Sequence, residues 1–427
     1  MKSKKALLLI LLSFNTLCCI STPLYSDAIC SPLPNQTSLS SYIRQALENN
    51  SELEAAFYDW QSNLYETIAS DTLPDPKLSY GHYIQEVETR VGPQKNSVGI
   101  HQTIPWLGKL TNRKKLARKK SLIAEQKLYV LTAKLIRKLK DSFYSYYFLD
   151  RSIQIGKENI VLVDLLEKVA QRQVQVGGSS ADAIQAQIEI NKLYDDVEAL
   201  WKNEHSLIAK IFAILNASPK PNLPLPTDLF ANPLHISTSL TIEELQWKNP
   251  TLILLSLQAE KEKANYKLVY QDRYPDVTIG VDWIETGRAI APTPDNGKDP
   301  VVAKVSLNVP IWFSTYKARE NAAKSQVVSA REMLNQKSQE IVADYEDIIQ
   351  KYQDAERRII LYRDTLLPQA EQALSILTTS YKTGKTEFDR VLESQRVLLR
   401  FQLEYERALV DQAKAVDAYE ELIGACK

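Results

Sequence analysis

The chain has 427 residues with 52 basic and 52 acidic side chains, so its formal net charge at pH 7 is zero. That balance argues against nucleic acid as a main partner, which usually requires a basic surplus. Glycine (12) and proline (19) are scarce for this length, and so few helix breakers predict long helices. The sequence carries no phosphate-binding loop, nucleophile elbow or metal-ligand spacing, so we predict neither an enzyme nor a cofactor, catalytic or metal site.

The N-terminus has the form of a secretory signal peptide. Three lysines within the first five residues precede an apolar run that is shorter than the roughly 20 residues of a membrane-spanning helix. We expect residues 1–28 to be removed on export, with the exact cleavage site left open. In an oxidising compartment Cys30 and Cys426 could form a disulfide, and two unpaired thiols are the alternative.

The two halves of the chain repeat the same features in the same order. For example, Leu73–Asp75 is echoed by Tyr274–Asp276, with proline at the centre of each tripeptide and a separation of roughly 200 residues. We therefore predict a first structural repeat over residues 29–218, a Pro-rich linker over 219–238 and a second repeat over 239–427.

Each repeat contains two segments in which apolar and polar residues alternate, which indicates β-strands with one apolar face. The predicted strands cover residues 77–90, 96–105, 276–287 and 301–311. The polar face of the second pair consists of Thr278, Gly280, Asp282, Lys304, Ser306 and Asn308. Four strands cannot close a membrane barrel, which needs about eight. The strands either form a small soluble sheet or belong to one barrel shared by several chains, and three chains would supply twelve strands.

Long helices follow each strand pair, over predicted residues 107–176, 179–216, 314–382 and 386–424. An apolar repeat of 3.5 residues runs through the second-half helices and predicts coiled-coil packing. Some positions of this repeat are polar, among them Gln395 and Gln402. These glutamines either fix the register of the packed helices or line a wet interior, and the sequence leaves both open.

Proline and glycine mark the ends of these elements. Pro105 and Pro310 stand where the second strand of each pair yields to a helix. Glycines stand where one long helix must reverse into the next, and the following Ser or Thr can cap the second helix near an acidic residue. The residues of these two predicted tips are Gly177, Gly178, Ser179, Asp182, Gly384, Lys385, Thr386 and Asp389.

This ordered set of features resembles the TolC family of outer-membrane efflux proteins. Ile104–Leu110 (IPWLGKL) is similar to the strand-to-helix junction of members that serve cation efflux, and Tyr381–Leu392 is similar to the family's hairpin tip. The resemblance implies a mainly α fold with a small β part, built from two tandem repeats of a β-hairpin and a long coiled-coil helical hairpin. It also implies a homotrimer with a twelve-stranded outer-membrane β-barrel on a periplasmic α-helical barrel.

The same resemblance implies a passive exit duct of a tripartite efflux system. The two tips would contact a periplasmic adaptor, which joins the duct to an inner-membrane pump, most simply of the RND type. The polar strand residues would line the barrel lumen, and the apolar ones would face outer-membrane lipid. A periplasmic coiled-coil scaffold or adaptor without a membrane barrel is the alternative. Metal ions, drugs and peptides all remain open as substrates.

Overall fold

The computed structural model of the protein describes residues 38–218, 223–230, 236, 241–290 and 294–425. The predicted signal peptide and the predicted pair Cys30 and Cys426 lie outside the described residues. The chain is mainly helical with one small antiparallel sheet, which confirms the predicted fold class at that level. It divides into two compact units, unit 1 (Met1–Phe57, Leu128–Pro250 and Ser338–Lys427) and unit 2 (Tyr58–Lys127 and Thr251–Lys337).

The elements follow one another in the order helices, strand pair, long helices in each half of the chain. The helices are α1 (Leu39–Asn49), α2 (Ser51–Ala69), α3 (Lys109–Gln175), α4 (Ser180–Leu215), α5 (Ile242–Lys248), α6 (Pro250–Gln271), α7 (Phe313–Leu361), α8 (Leu367–Lys382) and α9 (Phe388–Leu422). The strands are β1 (Lys77–Val87), β2 (Gln94–Ile104), β3 (Val277–Thr286) and β4 (Val301–Leu307). Among the described helices, none is both long and apolar enough to cross a membrane.

The helix predicted over residues 314–382 is interrupted by a π-helical turn at Tyr362–Leu366, which joins α7 to α8. In this turn the Leu367 amide donates to the Tyr362 carbonyl, five residues back. Pro368 follows directly, and a proline has no N–H to give and clashes with the carbonyl four residues before it. We attribute the wider turn to this proline, because it relieves that clash without breaking the helix.

The sheet lies within unit 2 and has the strand order β1-β2-β3-β4, with every neighbouring pair antiparallel. Its register places Leu78 opposite Ile100, Ile100 opposite Val281 and Val281 opposite Ala303. The apolar side chains of all four strands therefore share one face, since alternate residues point to the same side. β4 ends at Leu307 although the apolar alternation continues, because Leu307 pairs with Val277, the first residue of the partner strand β3.

Unit 1 has an apolar core formed by α3, α4, α8 and α9. Its members include Val163, Ala186, Leu374, Phe388 and Val391, all buried. The polar positions of the 3.5-residue repeat also pack within this unit. Gln395 is fully buried and its Nε2 donates to Asn159 Oδ1 at 3.0 Å, while Asn159 Nδ2 donates to Gln402 Oε1 at 3.0 Å. This network favours the reading of these glutamines as residues that fix helix register.

Part of the predicted Pro-rich linker is packed in unit 1. The carbonyls of Leu223 and Pro224 accept hydrogen bonds from the hydroxyls of Tyr146 at 2.9 Å and Tyr42 at 3.1 Å. Leu223 is buried, and the Phe230 ring contacts Tyr147 edge-on at 4.7 Å. Leu223, Pro224 and Phe230 are thus held by contacts within unit 1, which the proline content of the segment did not predict.

Candidate channel surface and helical tips

The apolar face of the sheet is exposed. Leu78 is 76% exposed, Ile84 93% and Val305 73%, and Trp283 lies open on the same face. In a soluble protein one face of an antiparallel sheet normally packs on a core, and contiguous apolar patches of this kind are rare. No described part of the chain covers this face, so its side chains are suited to an apolar environment outside the chain.

The opposite face of the sheet is polar and centres on Asp282. Its carboxylate oxygens lie 3.1 Å from His101 Nε2 and 2.5 Å from Lys304 Nζ. The contact between His101 and Asp282 requires glycine at position 280, because a Cβ on Gly280 would lie 2.0 Å from His101 Nδ1. On the same face, Thr278 Oγ1 lies 2.9 Å from Thr103 Oγ1.

Five of the six predicted lumen residues therefore lie on strands with this polar face, namely Thr278, Gly280, Asp282, Lys304 and Ser306. Asn308 was wrongly placed in the strand: it follows the end of β4, and its Oδ1 accepts from the Asp276 amide. His101 lies opposite Gly280 in the register of the sheet, and His82 of β1 lies opposite Asn96. The link between His101 and Asp282 depends on the pairing of β2 with β3, which the sequence did not specify.

The junction after β2 is fixed by Asp276 at the start of β3. Its Oδ1 accepts from the Trp106 amide at 2.8 Å and from Lys109 Nζ at 2.9 Å, and Lys109 also donates to the Tyr274 carbonyl. The Trp106 ring stacks on Tyr274 at 5.2 Å. Pro105 stands between β2 and α3, and Pro310 between β4 and α7, where both were predicted.

Exposed apolar and aromatic side chains gather at these junctions. They are Trp106, Leu107, Val309, Ile311, Trp312 and Phe313, which we call the aromatic belt. Aromatic residues concentrate where a protein passes from hydrocarbon to water, because their rings are apolar and their edges polar. The belt thus marks one edge of the exposed apolar face.

Both predicted tips are helix ends with a left-handed glycine. Gly177 has a φ of 97° and Gly384 a φ of 70°. The Gly178 amide donates to the Gln173 carbonyl at 2.8 Å, and the Lys385 amide to the Ser380 carbonyl at 2.9 Å. These bonds satisfy carbonyls that the helix ends would otherwise leave open, so glycine sets both reversals of direction.

The caps after the two tips differ. Ser179 Oγ accepts from the Ala181 amide at 3.2 Å and caps α4, as predicted. Thr386 does not cap α9: the cap position is Glu387, which makes no side-chain cap bond, and Thr386 Oγ1 has no hydrogen-bond partner among the described residues. The prediction placed the start of this helix at residue 386, whereas it begins at Phe388.

The two tips are joined by side-chain contacts. The Tyr381 hydroxyl donates to Asp182 Oδ2 at 2.7 Å, and Gln173 Nε2 donates to the Lys382 carbonyl at 2.8 Å. Burial, followed by the hydrogen bond to Asp182, raises the pKa of the Tyr381 hydroxyl. The sequence indicated both residues separately but not their contact. Lys385 and Asp389 are exposed at the same end.

Within the described ranges, no three His, Cys, Asp or Glu side chains come together in a way that could hold a metal ion. The candidate functional features among the described residues are the sheet with one apolar and one polar face and the pair of linked helical tips.

Comparisons with known proteins find similarity to outer-membrane efflux proteins. Residues 241–425 match the family model described as outer membrane efflux protein. The chain is 21% identical over 411 residues to the cobalt-zinc-cadmium resistance protein CzcC of Cupriavidus metallidurans, covering 94% of this chain and 92% of that protein.

Solved outer-membrane channels have the same fold. CusC, described in a study of folding and transmembrane channel formation, is similar with a TM-score of 0.76 and 15% identity, over 93% of this chain and 95% of CusC. The open-state MtrE outer membrane channel of Neisseria gonorrhoeae is similar with a TM-score of 0.74 and 15% identity, over 95% and 98% of the two chains. The resemblance to the TolC family of outer-membrane efflux proteins is therefore confirmed.

Proposed function

We propose that this chain is the outer-membrane channel of a tripartite efflux system, a passive duct from a periplasmic adaptor and an inner-membrane pump to the outside. The observation that carries this function is the sheet with one exposed apolar face and one polar face. A transmembrane barrel needs that division, since lipid-facing and lumen-facing residues alternate along each strand. The five polar strand residues from Thr278 to Ser306 then line the lumen.

The edges of the sheet support a homotrimer, which the family resemblance implies. β1 and β4 each pair on one side only among the described strands. Unpaired backbone groups in hydrocarbon cost several kcal/mol each, so these edges must find partners in a membrane. Three copies, each pairing its β1 with a neighbour's β4, close a barrel of twelve strands on an α-helical barrel in the periplasm.

The linked tips support the proposed adaptor contact. Gly177 and Gly384 have open space around them, and Lys385 and Asp389 are exposed there. A periplasmic adaptor that joins the duct to an RND-type pump would bind these tips, with Gly178, Ser179, Asp182 and Thr386 in the same surface. The signal peptide would deliver the chain for insertion into the outer membrane, with its helical part in the periplasm.

Divalent metal ions are the cargo class that we propose first. The similarity to a cobalt-zinc-cadmium resistance protein extends along nearly the whole chain. The junction motif at Ile104–Leu110 points in the same direction. Deletion of the gene should sensitise cells to zinc, cobalt or cadmium, and sensitivity to drugs alone would assign the duct to a different pump.

Substitutions on the two faces of β4 test the membrane barrel. A lysine on the lipid face costs up to about 2–4 kcal/mol at the bilayer midplane and less towards the interface. In the full chain exported with its own signal, Val305→Lys with Leu307→Lys should abolish recovery from the outer-membrane fraction. Ser306→Lys, on the polar face between them, should leave it intact.

The same pair of variants separates the duct from a periplasmic scaffold. A scaffold has no reason to keep Val305 and Leu307 apolar, so both variants would remain soluble and abundant. Recovery of the wild-type chain as a soluble monomer that detergent leaves unchanged would refute the duct.

A further inference from the structure

A basic groove runs between α3 and α6 within unit 2, with a volume of about 480 Å³. Five basic side chains and one acidic side chain line it: Lys115, Arg118, Lys119, Lys263, Lys267 and Glu260. Glu260 forms an ion pair with Lys119. The other four basic residues make no ion pair with any described residue, so the groove carries about four uncompensated positive charges.

The groove is open to solvent, and Lys115, Arg118, Lys263 and Lys267 are all exposed. A separate cavity of about 460 Å³ is lined by residues of α2, α3, α6 and α7. In α3 this cavity is lined by Lys120, Ile123 and Lys127, which lie about a third of a turn from the side of α3 that lines the groove. The groove is therefore a surface distinct from the space between the four helices.

The groove also lies close to the aromatic belt. Lys115 stands six residues into α3, which begins next to Trp106, so it is about 9 Å along the helix axis from Lys109. On the facing helix, Lys267 precedes Gln271, whose Oε1 accepts from Asn112 Nδ2 at 2.8 Å. If the belt marks the edge of the hydrocarbon, the groove begins at the depth of the lipid headgroups.

We propose that this groove binds the phosphate of an anionic phospholipid in the leaflet that surrounds the barrel. Positive charge on an exposed surface at headgroup depth fits that ligand, and lysines would hold the phosphate with their stems against the helices. The inference rests on the proposed outer-membrane location. A soluble anion is the alternative ligand, and competition with inorganic phosphate distinguishes it from the lipid.

Lipid binding to the full-length protein tests this directly. The purified protein in dodecyl maltoside is mixed with phosphatidylglycerol or phosphatidylethanolamine, and bound lipids are counted by native mass spectrometry. Phosphatidylglycerol should bind at least about tenfold more strongly, and the preference should fall by about tenfold between about 50 mM and about 500 mM NaCl. Equal binding of the two lipids at low salt would overturn the proposal.

Three variants localise the site. Lys115→Gln, Arg118→Gln, Lys263→Gln and Lys267→Gln combined should abolish the preference, while Lys→Arg at 115, 263 and 267 should keep it. The matched control removes four exposed charges from α7 (Lys317→Gln, Arg319→Gln, Lys324→Gln and Arg331→Gln) and should also keep it. Loss of preference in the α7 control, or its survival in the groove variant, would refute the groove as the site.

Two further arms complete the experiment. Inorganic phosphate at the lipid concentration should not displace phosphatidylglycerol, and displacement would assign the groove to soluble anions instead. If circular dichroism shows that the fourfold variant does not fold, the salt dependence of the wild-type preference for phosphatidylglycerol decides whether the proposal stands. Membrane fractionation of the wild type distinguishes the two failures: a protein found in the outer membrane without lipid preference refutes only the lipid site.

Discussion

At the scale of single residues, the contact between Tyr381 and Asp182 fixes one tip against the other. Tyr381→Phe removes a hydrogen bond to a carboxylate. Such a bond contributes about 1–2 kcal/mol to the free energy of local opening at the tips. We expect amide hydrogen exchange at residues 173–182 and 380–389 to accelerate by roughly 5- to 30-fold. Tyr194→Phe, an exposed tyrosine of α4, should leave these rates unchanged, and equal rates in both variants would contradict a role for the contact.

Asp417 gives the stability of unit 1 a pH dependence of defined sign. Burial raises its pKa to about 6, although Lys140 Nζ lies 3.0 Å away. Between about pH 4 and pH 6 the folded chain holds a proton that the unfolded chain has released, so stability falls as the pH rises through this window. The free energy of unfolding falls by up to about 3 kcal/mol across this window, and the loss stays constant above about pH 6.

Asp417→Asn should flatten this slope. We expect the difference in thermal midpoint between pH 4.5 and pH 7 to shrink in the variant relative to the wild type, because the titrating group is gone. Asp411→Asn, at a half-exposed carboxylate of the same helix that pairs with Arg358, should keep the wild-type slope. An unchanged slope in Asp417→Asn would show that other groups set the dependence.

At the scale of elements, the buried pair Asn159 and Gln395 links α3 to α9. Gln395→Ala leaves Asn159 Oδ1 without its donor and should cost about 1–3 kcal/mol of the free energy of unfolding. Asn159→Leu combined with Gln395→Leu removes both groups and should cost less than the two single changes summed. A double-mutant cycle in chemical denaturation measures this coupling, and strict additivity would contradict it.

The sequence predicted the helices and strands better than their contacts. Period-two alternation in residues 277–286 and the scarcity of helix breakers between Lys109 and Gln175 are local signals, so these elements could be placed. The interruption at Tyr362–Leu366 could not, because a proline near a helix end is equally compatible with a plain first turn. The end of β4 was overestimated because alternation continued past the last residue that has a ladder partner.

The candidate site was predictable only in part for a similar reason. Glycine positions locate the tips, since a left-handed helix end demands them. The partners Tyr381 and Asp182 are 199 residues apart, and His101 and Asp282 meet through a cross-strand register. Long-range contacts of this kind depend on packing that no local pattern encodes.

At the scale of the whole molecule, the proposed duct requires more than one chain. The exposed apolar face and the two sheet edges that lack a partner among the described strands would both be accounted for by the proposed barrel completed by further copies. The basic groove adds a lipid contact around that barrel. A tripartite system would use the polar face as conduit and the linked tips as its connection to the adaptor.

Cross-linking of the sheet edges tests this most directly. With Cys30 and Cys426 replaced by serine, single cysteines at Tyr80 in β1 and Val305 in β4, together with neighbouring positions to allow for register, are oxidised in isolated outer membranes. Edge pairing between copies predicts covalent dimers and closed trimers, with nothing larger, on a non-reducing gel. A chain that stays monomeric at every pair of positions while it remains in the outer membrane would contradict a barrel shared by three copies.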